Sequence, residues 1–113
     1  MFDFQKLEVY QKARKINANV QKYIKDHPDL PPRLKDQLSR ASLSVMLNIA
    51  EGAGRFSKAD KQHFYVQSRS SVFETVACLE AYFDLDEIKM DLLNDFEKEY
   101  EDISKMLFSL INK

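Results

Sequence analysis

Asn48, Glu51 and Arg55 bring together the amide, acid and base most able to act as a group in this sequence of 113 residues. Steps of three and four residues place all three on one face of a helix. Leu43, Val45, Met46, Leu47, Ile49 and Ala50 surround them, and the chain's only two glycines, Gly52 and Gly54, fall in the same stretch. An acid and a base set in apolar surroundings must find partners, because an unpaired buried polar group costs roughly 1–3 kcal/mol. The expectation is a polar network that fixes packing at a helix end. Glu74, amid Val72, Phe73 and Val76, is expected to join it by pairing with Arg69 or by reaching Arg55 across a turn.

Other chemistry finds less support. Asp60-Lys61-Gln62-His63 has the spacing of one half of a carboxylate-bridged dimetal site, but no second copy exists, so no metal and no cofactor are expected. His27 stands among prolines, and no serine or cysteine is tied to a histidine by a nucleophile motif. Gly52-Ala53-Gly54 follows a helix, whereas a phosphate-cradling loop opens one after a strand. No catalytic residue is assigned.

A nucleic-acid contact is the alternative the residues raise. Arg55, Lys58, Lys61 and His63 are interleaved with Phe56, Phe64 and Tyr65, Arg69 follows two turns on, and Lys12 and Lys15 add cations near the start. Cations suit phosphates and aromatic rings suit unpaired bases. The whole-chain balance, 17 Lys and Arg against 18 Asp and Glu, is not that of a dedicated binder. Charge is nevertheless uneven: Met1 to His27 holds six basic against three acidic residues, and Leu85 to Lys113 holds four against eight. Attraction between neighbouring helices or subunits is the expected use of that asymmetry.

The elements that must position these residues read as helices, since two glycines and three prolines leave few turn signals for strands. A first helix over Phe4 to Asp26 carries Val9, Ala13, Ile16, Val20 and Ile24, with Asp3 as its cap. A second begins at Pro32 or Arg33, carries Leu34, Leu38, Ala41, Val45 and Ile49, and is ended by Gly52 or Gly54. A third starts after Ser57, with a small, hydroxylated face (Ser68, Ser71, Thr75, Cys78) beside a bulky one (Tyr65, Val72, Val76, Leu79, Phe83). Two unlike faces imply two unlike neighbours, one of them in a second subunit. A fourth helix, capped by Asp84 or Asp86, carries Ile88, Leu92, Phe96, Tyr100, Ile103, Leu107 and Leu110. Four helices with short connections predict an all-α, antiparallel up-down-up-down bundle, a single domain spanning residues 1–113.

No apolar run approaches the roughly 20 residues of a membrane span, and MFDFQKLEVY has no secretory pattern, so cytoplasmic residence without a membrane partner is expected. Cys78, the lone cysteine, is expected as a small buried hydrophobe.

Phe4, Leu7, Val9, Tyr10 and Ala13, the S-x-x-x-N-I-A-E-G-x-G-R stretch from Ser44 to Arg55, and Phe64, Ser71, Glu74 and Leu79 together form a pattern. By it the chain resembles the proteins encoded in intervening sequences of bacterial 23S ribosomal RNA genes, relatives of the accessory variability protein of diversity-generating retroelements. The resemblance implies a four-helix bundle assembling as a homopentamer without established enzymatic activity, while the retroelement relatives imply a reverse transcriptase and RNA or DNA as partners. The reading adopted is a non-enzymatic, homo-oligomeric interaction scaffold, with a nucleic-acid-binding accessory factor as the alternative.

Overall fold

Apolar residues recurring every three or four positions fold into four helices, and the computed structural model describes all residues 1–113. They are α1 (Glu8–Asp26), α2 (Pro32–Ala53), α3 (Lys58–Asp84) and α4 (Met90–Ile111). A short 3₁₀ turn, Asp3–Lys6, precedes α1. Its first amide, Phe2 N, donates to Gln5 Oε1 at 2.7 Å. Leu7 is extended and separates this turn from α1, so Asp3 does not cap α1 and the expected first helix begins four residues late.

Pro32 occupies the first position of α2, where its missing N–H costs nothing. The helix runs through Gly52 to Ala53, and Gly54 caps it in a right-handed conformation (φ −84°), so neither glycine supplies the left-handed ending expected of it. Ser57 caps α3 as predicted, its hydroxyl accepting from Asp60 N at 3.1 Å. Asp84 and Asp86 do not cap α4. Asp84 is the last residue of α3, and Asp86 takes the chain's one left-handed non-glycine conformation (φ 58°), a state Asp tolerates better than most residues. Lys89 then precedes α4, and Ile88 is buried in the connection.

Cross-helix pairings give the topology. Ser68 Oγ donates to Val45 O at 2.7 Å, Ser44 Oγ meets Ser71 Oγ at 2.8 Å, and Gln37 Nε2 donates to Glu74 Oε1 at 2.8 Å. Residue numbers fall on α2 as they rise on α3, so the two are antiparallel. The pairings of Asn17 and Gln21 with Ser42 and Ser39 do the same for α1 and α2. Tyr23 OH donating to Glu87 O ties the end of α1 to the α3–α4 connection. The helices pack in cyclic order, with α2 against α3 the most extensive seam and α1 against α4 the sparsest.

Val9, Ile16, Leu38, Val45, Ile49, Val72, Leu79, Tyr100, Ile103 and Leu107 form the centre of one apolar core. Cys78 joins it, and burial raises its thiol above the ordinary value. Both the small and the bulky faces of α3 point inward, since Ser68, Thr75, Cys78, Val72 and Leu79 are all buried between α2 and α4. No helix is long and apolar enough to cross a membrane.

Gly52 lies at the closest approach of α2 to α3. A methyl group there would sit 2.8 Å from Tyr65 Cε1 and 3.1 Å from Phe64 Cβ. Gly52→Ala would gain about 1 kcal/mol of helix propensity but overpack a buried ring, which costs about 1–3 kcal/mol. At the middle of these ranges the net loss is about 1 kcal/mol, so thermal denaturation should show a melting temperature lowered by roughly 4 °C.

Candidate functional site

The end of α2 places its polar residues in three different settings. Glu51 and Arg55 form the expected ion pair, Arg55 Nη2 to Glu51 Oε2 at 2.9 Å, but their side chains are 55% and 45% exposed. The guanidinium also lies 4.6 Å from the centre of the Phe64 ring. Asn48 bonds to neither of them; it donates one turn back along α2 to Ser44 O and Ser44 Oγ, each at 2.9 Å. Glu74 pairs with neither Arg55 nor Arg69; it accepts from Gln37. Antiparallel register is the reason, because it sets Glu74 level with residue 37, and 14 residues of helix, about 21 Å, separate that level from Glu51. The single network of Asn48, Glu51, Arg55 and Glu74 is therefore corrected to one exposed ion pair, one bond pair within α2 from Asn48 to Ser44, and one α2–α3 contact from Gln37 to Glu74.

The buried polar network lies elsewhere, in the middle of the bundle. Ser42 Oγ donates to Asn17 Oδ1 at 2.9 Å and lies 3.2 Å from Tyr100 OH, linking α1, α2 and α4. Gln21 extends it, donating to Asn17 Oδ1 and to Ser39 O at 3.1 Å each. Burial pushes the Tyr100 phenol up to about 12, against a smaller opposing effect of the Ser42 hydrogen bond. The only sequence signal was Asn17 and Gln21 at helical spacing beside the α1 stripe, and Tyr100 within the α4 stripe. Tyr82, also forced up to about 12 by burial, has a hydroxyl with no partner, and nothing in the structure compensates it.

The six cations singled out in the sequence do not form one face. Arg69 is wedged against Phe73 (4.8 Å) and Phe108 (5.5 Å), its Nε buried without an acceptor. Lys12 and Lys15 line a crevice of α1 and α4 with Glu99 and Asp102, so the basic start of the chain does adjoin its acidic end. Arg55 lines a different hollow from Lys58 and Lys61, with Glu51, Leu47 and Asp60. Lys58 and Lys61 share a cavity with Phe56, Tyr65 and Lys113.

The sequence profile of the 23S rRNA-intervening sequence proteins matches residues 5–109. The chain belongs to that family. Its fold is also that of a protein with unknown function from the S23 ribosomal protein family of Bacteroides thetaiotaomicron VPI-5482, whose crystal structure superposes with a TM-score of 0.87. Identity is 20% over 93% of this chain and 99% of the other, a likeness that establishes the shared fold. No functionally curated protein matches the sequence.

This family member carries an acidic groove in which only Glu101 has a cationic partner, Lys105 Nζ at 3.2 Å from its Oε1. Glu80, Glu97 and Glu101 line a hollow of about 330 Å³ between α3 and α4, over Phe73, Val76 and Ala77 and with no cation among its lining. Burial, and then the charge of Glu80, raise the Glu97 carboxyl above its ordinary value. A raised carboxyl pKa means that the folded chain holds this proton more tightly than the unfolded one. The stability it contributes is present below the ordinary carboxylate range and lost as pH rises through the raised value. Glu97→Gln should accordingly raise the melting temperature at pH 7, with the gain shrinking toward zero as pH falls to about 4. Arg55→Ala removes an exposed pair worth about 0.5 kcal/mol or less and a ring contact worth about 0.5–1 kcal/mol. Its melting temperature should drop by only a few degrees, with helical circular dichroism unchanged.

Proposed function

We propose that the chain is a non-enzymatic, homo-oligomeric scaffold of the cytoplasm, whose copies associate through the outward face of α3. The observation that carries this reading is the side of α3 that no other helix covers. Val66 (48% exposed), Phe73 (54%) and the adjacent Phe108 of α4 (55%) stand in solvent, with the small residues Ser70 and Ala77 between them. The outward face of a helix in a bundle is ordinarily polar; here Gln67, Glu74 and Glu80 share it with this apolar stripe, which α2 and α4 leave uncovered. Covering the exposed halves of side chains of this size returns roughly 1 kcal/mol each, about half the value of full burial.

A second apolar surface supports a closed ring over a symmetric pair. Leu43 (41% exposed) and Leu47 (51%) stand on the outward side of α2, distinct from the α3 face. Two unlike surfaces on one copy are what head-to-tail association requires, and such association closes into a ring when the rotation permits. A ring of five is the assembly proposed. The acidic groove beside Phe73 would then meet a neighbour's cations, and the single buried thiol fits a reducing compartment.

Light scattering coupled to size exclusion should give a mass about five times 13.2 kDa at micromolar concentration. Phe73→Glu, at a position exposed within the chain, should leave helical content intact and shift the mass to that of a single copy. A wild-type mass near 13.2 kDa would overturn the proposal.

A further inference from the structure

Where the α2–α3 turn meets the end of α4, three lysines surround a cavity of about 410 Å³ with no carboxylate side chain among its lining. Lys58 and Lys61 come from the first turn of α3, and Lys113 comes from the far end of the sequence. The arrangement is built by hydrogen bonds. Gln62 Nε2 donates to Ile111 O at 2.7 Å, which draws the end of α4 over the start of α3 and brings Lys113 to the cavity. Lys61 Nζ donates to Ala53 O at 3.1 Å, which closes the end of α2 and fixes this lysine in place.

Two aromatic residues complete the lining. Phe56 is fully exposed, its ring held in solvent by the short connection between α2 and α3. Tyr65 also lines the cavity: its ring is packed against Gly52, while its hydroxyl has no hydrogen-bonding partner from the chain and stays open to solvent. A tyrosine hydroxyl with no partner in the chain and not sealed from solvent, three ammonium groups with no carboxylate side chain beside them and an uncovered ring face form an uncommon set on a chain of net charge −1.

We infer that this cavity binds a phosphate-bearing single strand, with Lys58, Lys61 and Lys113 on the phosphates, the Tyr65 hydroxyl donating to a phosphate oxygen and Phe56 stacked on an unpaired base. The oxyanion requirement is met by ammonium groups and a hydroxyl donor, whereas the exposed ring has a use only if the ligand also carries a base. This site is independent of the α3 face used for assembly. It also departs from the expectation that Arg69, Lys12 and Lys15 take part, since Arg69 is wedged between rings and the other two face Glu99 and Asp102.

Fluorescence anisotropy with a labelled 12-nucleotide single-stranded RNA, at 50 and 200 mM salt, tests the assignment on the full chain. The wild type should bind at the lower salt and weaken steeply at the higher. Lys58→Glu combined with Lys113→Glu should cut affinity at least tenfold and reduce the slope of log affinity against log salt by about 1.4, or 0.7 per lost contact. Phe56→Ala should cost fivefold or more. Lys22→Glu with Lys25→Glu, an equal charge change at the opposite end of α1, should leave affinity within twofold. Tripolyphosphate and ATP serve as competitors: displacement of the strand only at large excess supports a strand site, and displacement by tripolyphosphate at equal phosphate concentration overturns it in favour of a free-polyphosphate site. Absence of binding at 50 mM salt, or equal losses in the two lysine double variants, would also overturn the inference.

Discussion

The close approach of α2 to α3 is the constraint from which the rest of the bundle follows. Gly52 admits the Tyr65 ring, Ser68 reaches the Val45 carbonyl, and Ser44 meets Ser71. Small residues remove the steric barrier between backbones, and their hydroxyls satisfy one another at the short distances that result. A buried hydroxyl left alone would cost more than the contact returns. Each hydroxyl on this seam therefore serves as spacer and clasp together.

That spacing sets how the other two helices pack. With α2 and α3 drawn together, α3 turns its Tyr65, Val72 and Leu79 side toward the core and α4, and α1 closes the opposite corner through Asn17, Gln21 and Ser42. Apolar side chains placed at Val66 and Phe73 have no room in the interior and face outward. The exposed apolar stripe is in this sense a by-product of a helix that already has two partners. The same closeness brings the start of α3 to the end of α4, where Gln62 secures the Ile111 carbonyl.

Much of the fold was legible because it rests on local periodicity. Four helices, the Ser57 cap, the Pro32 start and the buried Cys78 all follow from spacing and residue type. Boundaries were harder to read where a tertiary contact competes with a local preference: α3 continues to Asp84 before Asp86 turns the chain, and Gly52 is retained for clearance and not for a left-handed ending. The polar residues near position 50 were identifiable, but not their partners. Helical spacing says which side chains share a face, whereas register between antiparallel helices decides that Glu74 meets Gln37 and not Arg55. Lys113 had no sequence signal at all, since its place beside Lys58 exists only once α4 has folded back along α3.

The juxtaposition of α1 with α4 has an electrostatic consequence. An excess of positive charge on one rod lies against an excess of negative charge on the next, so the two largely cancel at a distance. At physiological ionic strength the Debye length is about 8 Å, and beyond it an approaching polyanion meets a nearly neutral body. Long-range steering is therefore weak, and any partner of this bundle must be recognised after collision, by the few charges and rings that it touches.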